Sequence, residues 1–325
     1  MAGSKSLITV LWLALTAGLT LPAAARAHDC SAKGLDLCLS FESGTRFSKN
    51  QVRIGSVDRL VTLFAHNKAE PFPPGDRADD ETRLSLVEGG RDGRHALRFT
   101  TQDDDSGVHK TRWERSEVML RADDTGALPG VEQWWAHSVY FPPDFRVAPG
   151  AYRSSIFFQF KQEITEGQPL VALDVFMEPG RGGPRAILRV INRGAGGGDQ
   201  HAQYFYRTNG RANVKGQCLH DSFELGVWYD FVHRIRWSYT GTGSHEIWMR
   251  KAGAPTKKVL ARSGINTLYG NGRAYLKFGT YHDPVPGKSS VIADRIRRGS
   301  SFAAVAMPDF RLPPDTVVAC NNSSL

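Results

Sequence analysis

Residues 275–281 read Tyr275-Leu276-Lys277-Phe278-Gly279-Thr280-Tyr281. Successive side chains of an extended strand point to opposite faces of a sheet. Leu276 and Phe278 therefore share one face, and Tyr275, Lys277, Gly279 and Tyr281 share the other. One face is apolar, and the other carries a cation between two phenols. A glycine inside a strand marks either the close approach of a ligand or backbone, or a bulge. Both readings stand for Gly279.

Two further segments follow the same rule. In Arg115-Ser116-Glu117-Val118-Met119-Leu120-Arg121, the period of two puts Arg115, Glu117 and Arg121 on one face and Val118 and Leu120 on the other. Two cations then brace a carboxylate through charge-assisted hydrogen bonds, or the face is merely solvated. In Ser155-Ile156-Phe157-Phe158-Gln159-Phe160-Lys161, Ile156, Phe158 and Phe160 form the apolar side, which leaves Phe157, Gln159 and Lys161 opposite.

Working outward, strands are expected at 96–100, 115–121, 133–141, 154–160, 170–177, 186–191, 203–206, 228–237, 245–250 and 273–281. Each is short, rich in aromatic and β-branched residues and bounded by Gly, Pro, Asn or Asp. No long stretch has a helical period, so the chain reads as an all-β sandwich or barrel. Glycine-dense runs at 180–183 and 193–198 read as loops, since the strand and helix that a phosphate-cradling turn needs are missing. The proline- and charge-rich stretch 70–80 reads as an irregular excursion. His233 shares parity with Phe231, Ile235 and Trp237 and is expected to be a satisfied core histidine.

The amino terminus has one early cation, Lys5, an apolar run over 7–21 and then Ala25-Arg26-Ala27. That is the layout of a secretory signal peptide over 1–27, too short in its apolar part to anchor in a bilayer. No later segment approaches a membrane-spanning length. Residues 28–325 are expected to form a single domain, secreted or periplasmic, and to act as a monomer. Four cysteines, Cys30, Cys38, Cys218 and Cys320, suit an oxidising compartment. Cys30 or Cys38 is expected to pair with Cys320.

The chain of 325 residues carries a formal charge of +8, and removal of Lys5 and Arg26 leaves 39 basic against 33 acidic side chains, or +6. That balance suits a polyanionic partner. The zinc-ligand spacings, basic helices and ribonucleoprotein motifs of nucleic-acid binding are absent from the sequence. The polyanion expected for an exported protein is an acidic glycan. Asp103, Asp104 and Asp105 have the carboxylate oxygens that suit calcium but read first as a solvated turn, and neither a metal nor another cofactor is expected.

Taken together and in chain order, Arg115-Ser116-Glu117-Val118, Gln159-Phe160-Lys161 and 275–281 resemble three motifs of jelly-roll polysaccharide lyases. The likeness is to alginate lyases and, more closely, to the heparin lyase I and glucuronan lyase group. Further likeness lies in 94–99, 135–145 and 226–238, so that it spans 89–283. The resemblance implies two curved antiparallel sheets, with an acidic polysaccharide lying across the concave one and cut by β-elimination.

That reaction removes the proton on C5 of a uronic acid and expels the oxygen on C4. Preorganised donors must stabilise the charge that spreads onto the uronate carboxylate. Gln159 and Arg115 are the candidates, with Glu117 orienting Arg115 and with Arg121 and Tyr275 binding substrate. Tyr281 is the candidate proton donor to the departing oxygen, with Lys277 expected to lower its pKa. Many of the lyases it resembles carry a histidine where this chain has Lys161, a departure that leaves a non-catalytic acidic-glycan-binding protein on the same fold as the alternative. The base is therefore left among His109, which has a suitable intrinsic pKa, Lys161, and Tyr281 acting alone.

Overall fold

A computed structural model describes residues 30–41, 45–48, 51–54, 57–64, 83–91, 93–102, 113–150, 153–162, 169–178, 185–192, 205–208, 211–214, 217–220, 223–307, 309–313 and 317. The signal-peptide segment, the stretch 70–80, Asp103 to Asp105, His109, the glycine runs 180–183 and 193–198, and Cys320 lie outside the described residues.

Nineteen strands follow one another among the described residues: β1 Leu35–Leu39, β2 Arg46–Ser48, β3 Gln51–Ile54, β4 Val57–Phe64, β5 Leu84–Glu88, β6 His95–Thr101, β7 Glu114–Leu120, β8 Glu132–Tyr140, β9 Ser154–Gln162, β10 Val171–Glu178, β11 Arg185–Asn192, β12 Phe205–Thr208, β13 Arg211–Val214, β14 Gln217–His220, β15 Trp228–Arg236, β16 Gly243–Lys251, β17 Lys257–Ile265, β18 Ala274–His282 and β19 Ser289–Gly299. Two helical turns accompany them, α1 Ala122–Thr125 between β7 and β8 and α2 Phe302–Val305 after β19. One sheet runs β17-β16-β15-β8-β19-β6-β5, with β1 also on β19. The other runs β14-β11-β10-β9-β18-β7-β4-β3-β2, and β12 and β13 form a separate pair. All the paired strands are antiparallel. This is the β-jelly-roll sandwich that the resemblance implies.

The apolar faces of the two sheets meet in one core cluster, to which Val118, Leu120, Phe158, Phe160, Leu276 and Phe278 contribute from one sheet and Leu97, Phe99, Trp135, Phe231 and Val291 from the other. Rings cross the gap edge to face: Trp135 on Phe160 at 5.3 Å and Phe99 on Phe278 at 5.8 Å between centroids. Such pairs add to the burial term that drives sheet packing. On the far side of the eight-stranded sheet, Val305 of α2 joins Trp248, Val232 and Ala136 in a second cluster.

Two expectations are corrected here. Cys30 pairs with Cys38, not with Cys320. Gly34, at φ 82°, turns the chain into β1 so that the two half-cystines stand 5.7 Å apart at Cα, within disulfide reach. Arg121 is not a strand residue either, because β7 ends at Leu120 and Arg121 is the exposed N-cap of α1. The helical turn breaks the period of two that would have aligned it with Glu117.

His233 is a core histidine with both ring nitrogens engaged: its Nε2 lies 3.2 Å from His137 Nε2, and its Nδ1 lies 3.1 Å from His245 Nε2. All three rings are buried. Burial pushes His137 and His245 down to about 3, and burial together with the neighbouring rings holds His233 well below its ordinary value. These rings are neutral in the folded protein, whereas in the unfolded chain they take up protons below about pH 6.5. Their contribution to stability is therefore full above that pH and lost as pH falls through and below it. Urea unfolding at about pH 7.5 and about pH 5 is expected to show a loss on the order of 2 kcal/mol or more at the lower pH. Equal stability at the two values would refute the neutral triad.

Candidate active site

Three adjacent strands of the nine-stranded sheet bring the singled-out residues together. β18 lies between β9 and β7. Lys277 stands opposite Gln159 on one side and Met119 on the other, while Tyr281 stands opposite Ile156 and Arg115. Glu117 is opposite Gly279. Arg115, Glu117, Gln159, Lys277 and Tyr281 thus occupy one patch on the face turned away from the main core.

Glu117 is the hub of that patch. Its side chain is completely buried, and its Oε1 accepts a hydrogen bond from Gln159 Nε2 at 2.5 Å. Its Oε2 lies 3.1 Å from Arg115 Nε, an ion pair whose alignment falls outside hydrogen-bond geometry. A buried carboxylate is costly unless paired, so Glu117 locks the two side chains that it neutralises or bonds. The amide nitrogen of Gln159 keeps a second N–H for another acceptor.

Tyr281 is half-buried. The Arg115 guanidinium carbon sits 4.4 Å from its ring centroid, and the Trp113 ring lies 5.2 Å away with the planes 34° apart. Burial raises the Tyr281 phenol above its ordinary value; Arg115 opposes this, while Glu117 and Asp283 reinforce it. This corrects the expected role of Lys277, since the phenol is raised rather than lowered and the cation against it is Arg115. Lys277 instead places its Nζ 5.7 Å from the ring centroid of Tyr275. Lys161, half-buried, faces Tyr275 across the β9–β18 pair.

The parity of β9 needs a second correction. Phe157, expected beside Gln159, belongs to the main core, whereas Ile156, expected in the core, packs with Ala172 against Tyr281 on the site's face. Pairing slips here: Phe158 is opposite Phe278, but Ile156 is opposite Tyr281, so Gly279 and Thr280 face the single residue Phe157. Against β10, Phe157 is itself the extra residue, since Phe158 is opposite Leu173 and Ile156 opposite Asp174. This insertion turns Ile156 onto the other face, while β18 runs in unbroken register with β7. Gly279 serves the bulge. At φ 139°, a Cβ there would come 2.3 Å from the Ser116 carbonyl oxygen and 2.8 Å from Glu117 Cα.

Sequence reading missed Trp113, Ile156 and the Arg153–Asp283 ion pair at 3.1 Å. Trp113 precedes the strand whose period was read, and a lone aromatic there carries no pattern. Among the described residues, no group of three or more His, Cys, Asp or Glu side chains is placed to hold a metal.

A family model described as polysaccharide lyase matches residues 80–297, the span that contains every residue of this patch. The chain belongs to the polysaccharide lyase family. The lyase resembles several solved structures in fold. An endo-β-1,4-glucuronan lyase of the fungus Trichoderma reesei is 19% identical, over 78% of this chain and 100% of that one, at a TM-score of 0.47. The marine alginate lyase of Aplysia kurodai is 13% identical, over 75% of this chain and 100% of that one, at 0.45. A GH131 β-glucanase catalytic domain from Podospora anserina is 12% identical, over 75% and 87%, at 0.47. No curated protein matches this lyase in sequence. The fold does not select a substrate, which has to be argued from side chains.

Gly279→Ala combines the forbidden φ with backbone overlap, and it is expected to destabilise the protein by on the order of 3 kcal/mol in denaturant unfolding. Gly253→Ala is the control. It has a positive φ of 79° but no atom within 4 Å of its Cβ, and it should cost only about 1 kcal/mol. Equal costs would refute the close approach at Gly279.

Proposed function

We propose that this lyase cuts an acidic, uronate-containing polysaccharide by β-elimination and leaves an unsaturated uronate at the new end. The observation that carries the reading is the convergence of Arg115, Gln159, Lys277 and Tyr281 around buried Glu117. The patch holds Arg115 of β7 and Lys277 of β18 beside buried Glu117, whose two oxygens are already engaged by Gln159 and Arg115. That is the field a uronate carboxylate requires, and donors fixed in advance stabilise the charge that develops on it.

In the proposed step Arg115 and the free N–H of Gln159 bind the uronate carboxylate, and Lys277 adds positive charge beside them. The C5–H bond breaks and its electron pair forms the C4=C5 double bond. The C4–O bond breaks in turn, and the departing oxygen takes the phenolic proton of Tyr281. A phenol whose pKa is raised stays protonated near neutrality, which suits a donor and not a base. The C5 proton then goes to a separate base, Lys161 on the same strand as Gln159, or His109. A hydrolase would need two available carboxylates, but that of Glu117 is held by Gln159 and Arg115, and that of Asp283, which faces Tyr281, by Arg153.

The reading extends to location and extent. The leader pattern over 1–27 and the Cys30–Cys38 disulfide support action outside the cytoplasm, secreted or periplasmic. The single main cluster fed by both sheets supports one domain over 28–325.

Purified protein incubated with alginate, polyglucuronate, heparin and related acidic glycans is expected to raise the ultraviolet absorbance of unsaturated uronates on at least one of them. Tyr281→Phe should cut turnover by about 10²- to 10⁴-fold while circular dichroism stays unchanged. Saturated products, or full activity in Tyr281→Phe, would refute the reading. Lys161→Ala and His109→Ala, made separately, identify the base as the one whose loss abolishes turnover without abolishing binding.

A further inference from the structure

We infer that Trp113 is a positioning residue for Tyr281, its indole setting the rotation of the phenol ring so that the hydroxyl addresses the departing oxygen. The inference rests on the donor role proposed for Tyr281. Trp113 is half-buried, immediately before β7 and two residues from Arg115. Its ring meets the Tyr281 ring at 5.2 Å, Arg115 meets the same ring at 4.4 Å, and Ile156 packs against it from β9. A tyrosine side chain has only two torsions, and three neighbours that bound its ring fix both.

The charged groups that face Tyr281 lie elsewhere. From β7 these are Arg115 and Glu117, and just past the end of its own strand Asp283, which is paired with Arg153. Ile156 and Ala172, on β9 and β10, carry no charge. Removing the indole therefore leaves the local charges in place and changes ring packing and water access alone. Burial is the largest influence holding the phenol above its ordinary pKa, so loss of the indole should let it ionise at lower pH. An aromatic pair contributes enough beyond its buried area to matter for a single proton transfer.

Trp113→Leu and Trp113→Phe test this. The leucine variant is expected to lose about tenfold in kcat, with KM unchanged and the alkaline limb of the pH profile moved to lower pH. The phenylalanine variant, which keeps a ring, should recover most of the kcat. A rise in KM at constant kcat would show that the indole holds a sugar and would overturn the inference. So would equal losses in both variants, or no change in either. Ultraviolet difference titration of each protein against its Tyr281→Phe counterpart follows the phenolate band without turnover. A fall in the Tyr281 ionisation pH in Trp113→Leu, restored in Trp113→Phe, supports the packing role even if no glycan is cut; an unchanged value overturns it. A failure of the elimination reading would appear instead as inactivity of the wild-type protein.

Discussion

Where β18 passes β9, two residues of one strand, Gly279 and Thr280, face one residue of the other, Phe157. β18 keeps unbroken register with β7, so the change of face falls on β9, where Phe157 is also the extra residue against β10. Beyond the bulge, Tyr281 and Ile156 stand together on the outer face. Before it, Lys277 and Gln159 do the same. Without the slip, Ile156 would point into the core and Tyr281 would lack its apolar neighbour on β9. Glycine is required because the strand backbone of β7 occupies the space that any Cβ would fill.

The second constraint is electrostatic. A fully buried Glu117 would be expensive alone, and its pairing with Gln159 and Arg115 offsets that cost while stiffening both partners. Lys277 and Lys161 add further positive charge on β18 and β9, Lys277 beside the ring of Tyr275 and Lys161 opposite Tyr275 across the strand pair. In the proposed reading these cations attract an acidic ligand, and the committed carboxylate holds Gln159 and Arg115 in place. Recognition and orientation thus come from the same few side chains.

The opposite sheet handles its polar residues differently. Asp230 of β15 is ion-paired with Arg91 and Arg250, each at 2.9 Å, and accepts a hydrogen bond from Ser138 on β8. Alongside them, Asp294 of β19 accepts the backbone N–H of Arg91. This network explains why β19, the longest strand, could not be read from its sequence. Its Asp294, Arg295, Arg297 and Arg298 look like a solvated segment. A pairing slip between Asp294 and Arg297, with Arg295 at φ 56°, also breaks the alternation. Partners remote in sequence make those charges tolerable inside a sheet.

All ten strands expected from alternation are present within a few residues of their predicted ends, because burying one face of a sheet writes a period of two directly into the chain. The same period placed Arg115 with Glu117 and Lys277 with Tyr281. What alternation within one strand cannot encode is the register between strands. Only the folded sheets decided that Phe157 turns inward, that Arg121 leaves the strand, that Cys30 meets Cys38, and that Arg115 rather than Lys277 lies against Tyr281. Those outcomes depend on contacts between segments as much as 166 residues apart, as with Arg115 and Tyr281, and neither member of such a pair carries a local sign of the other.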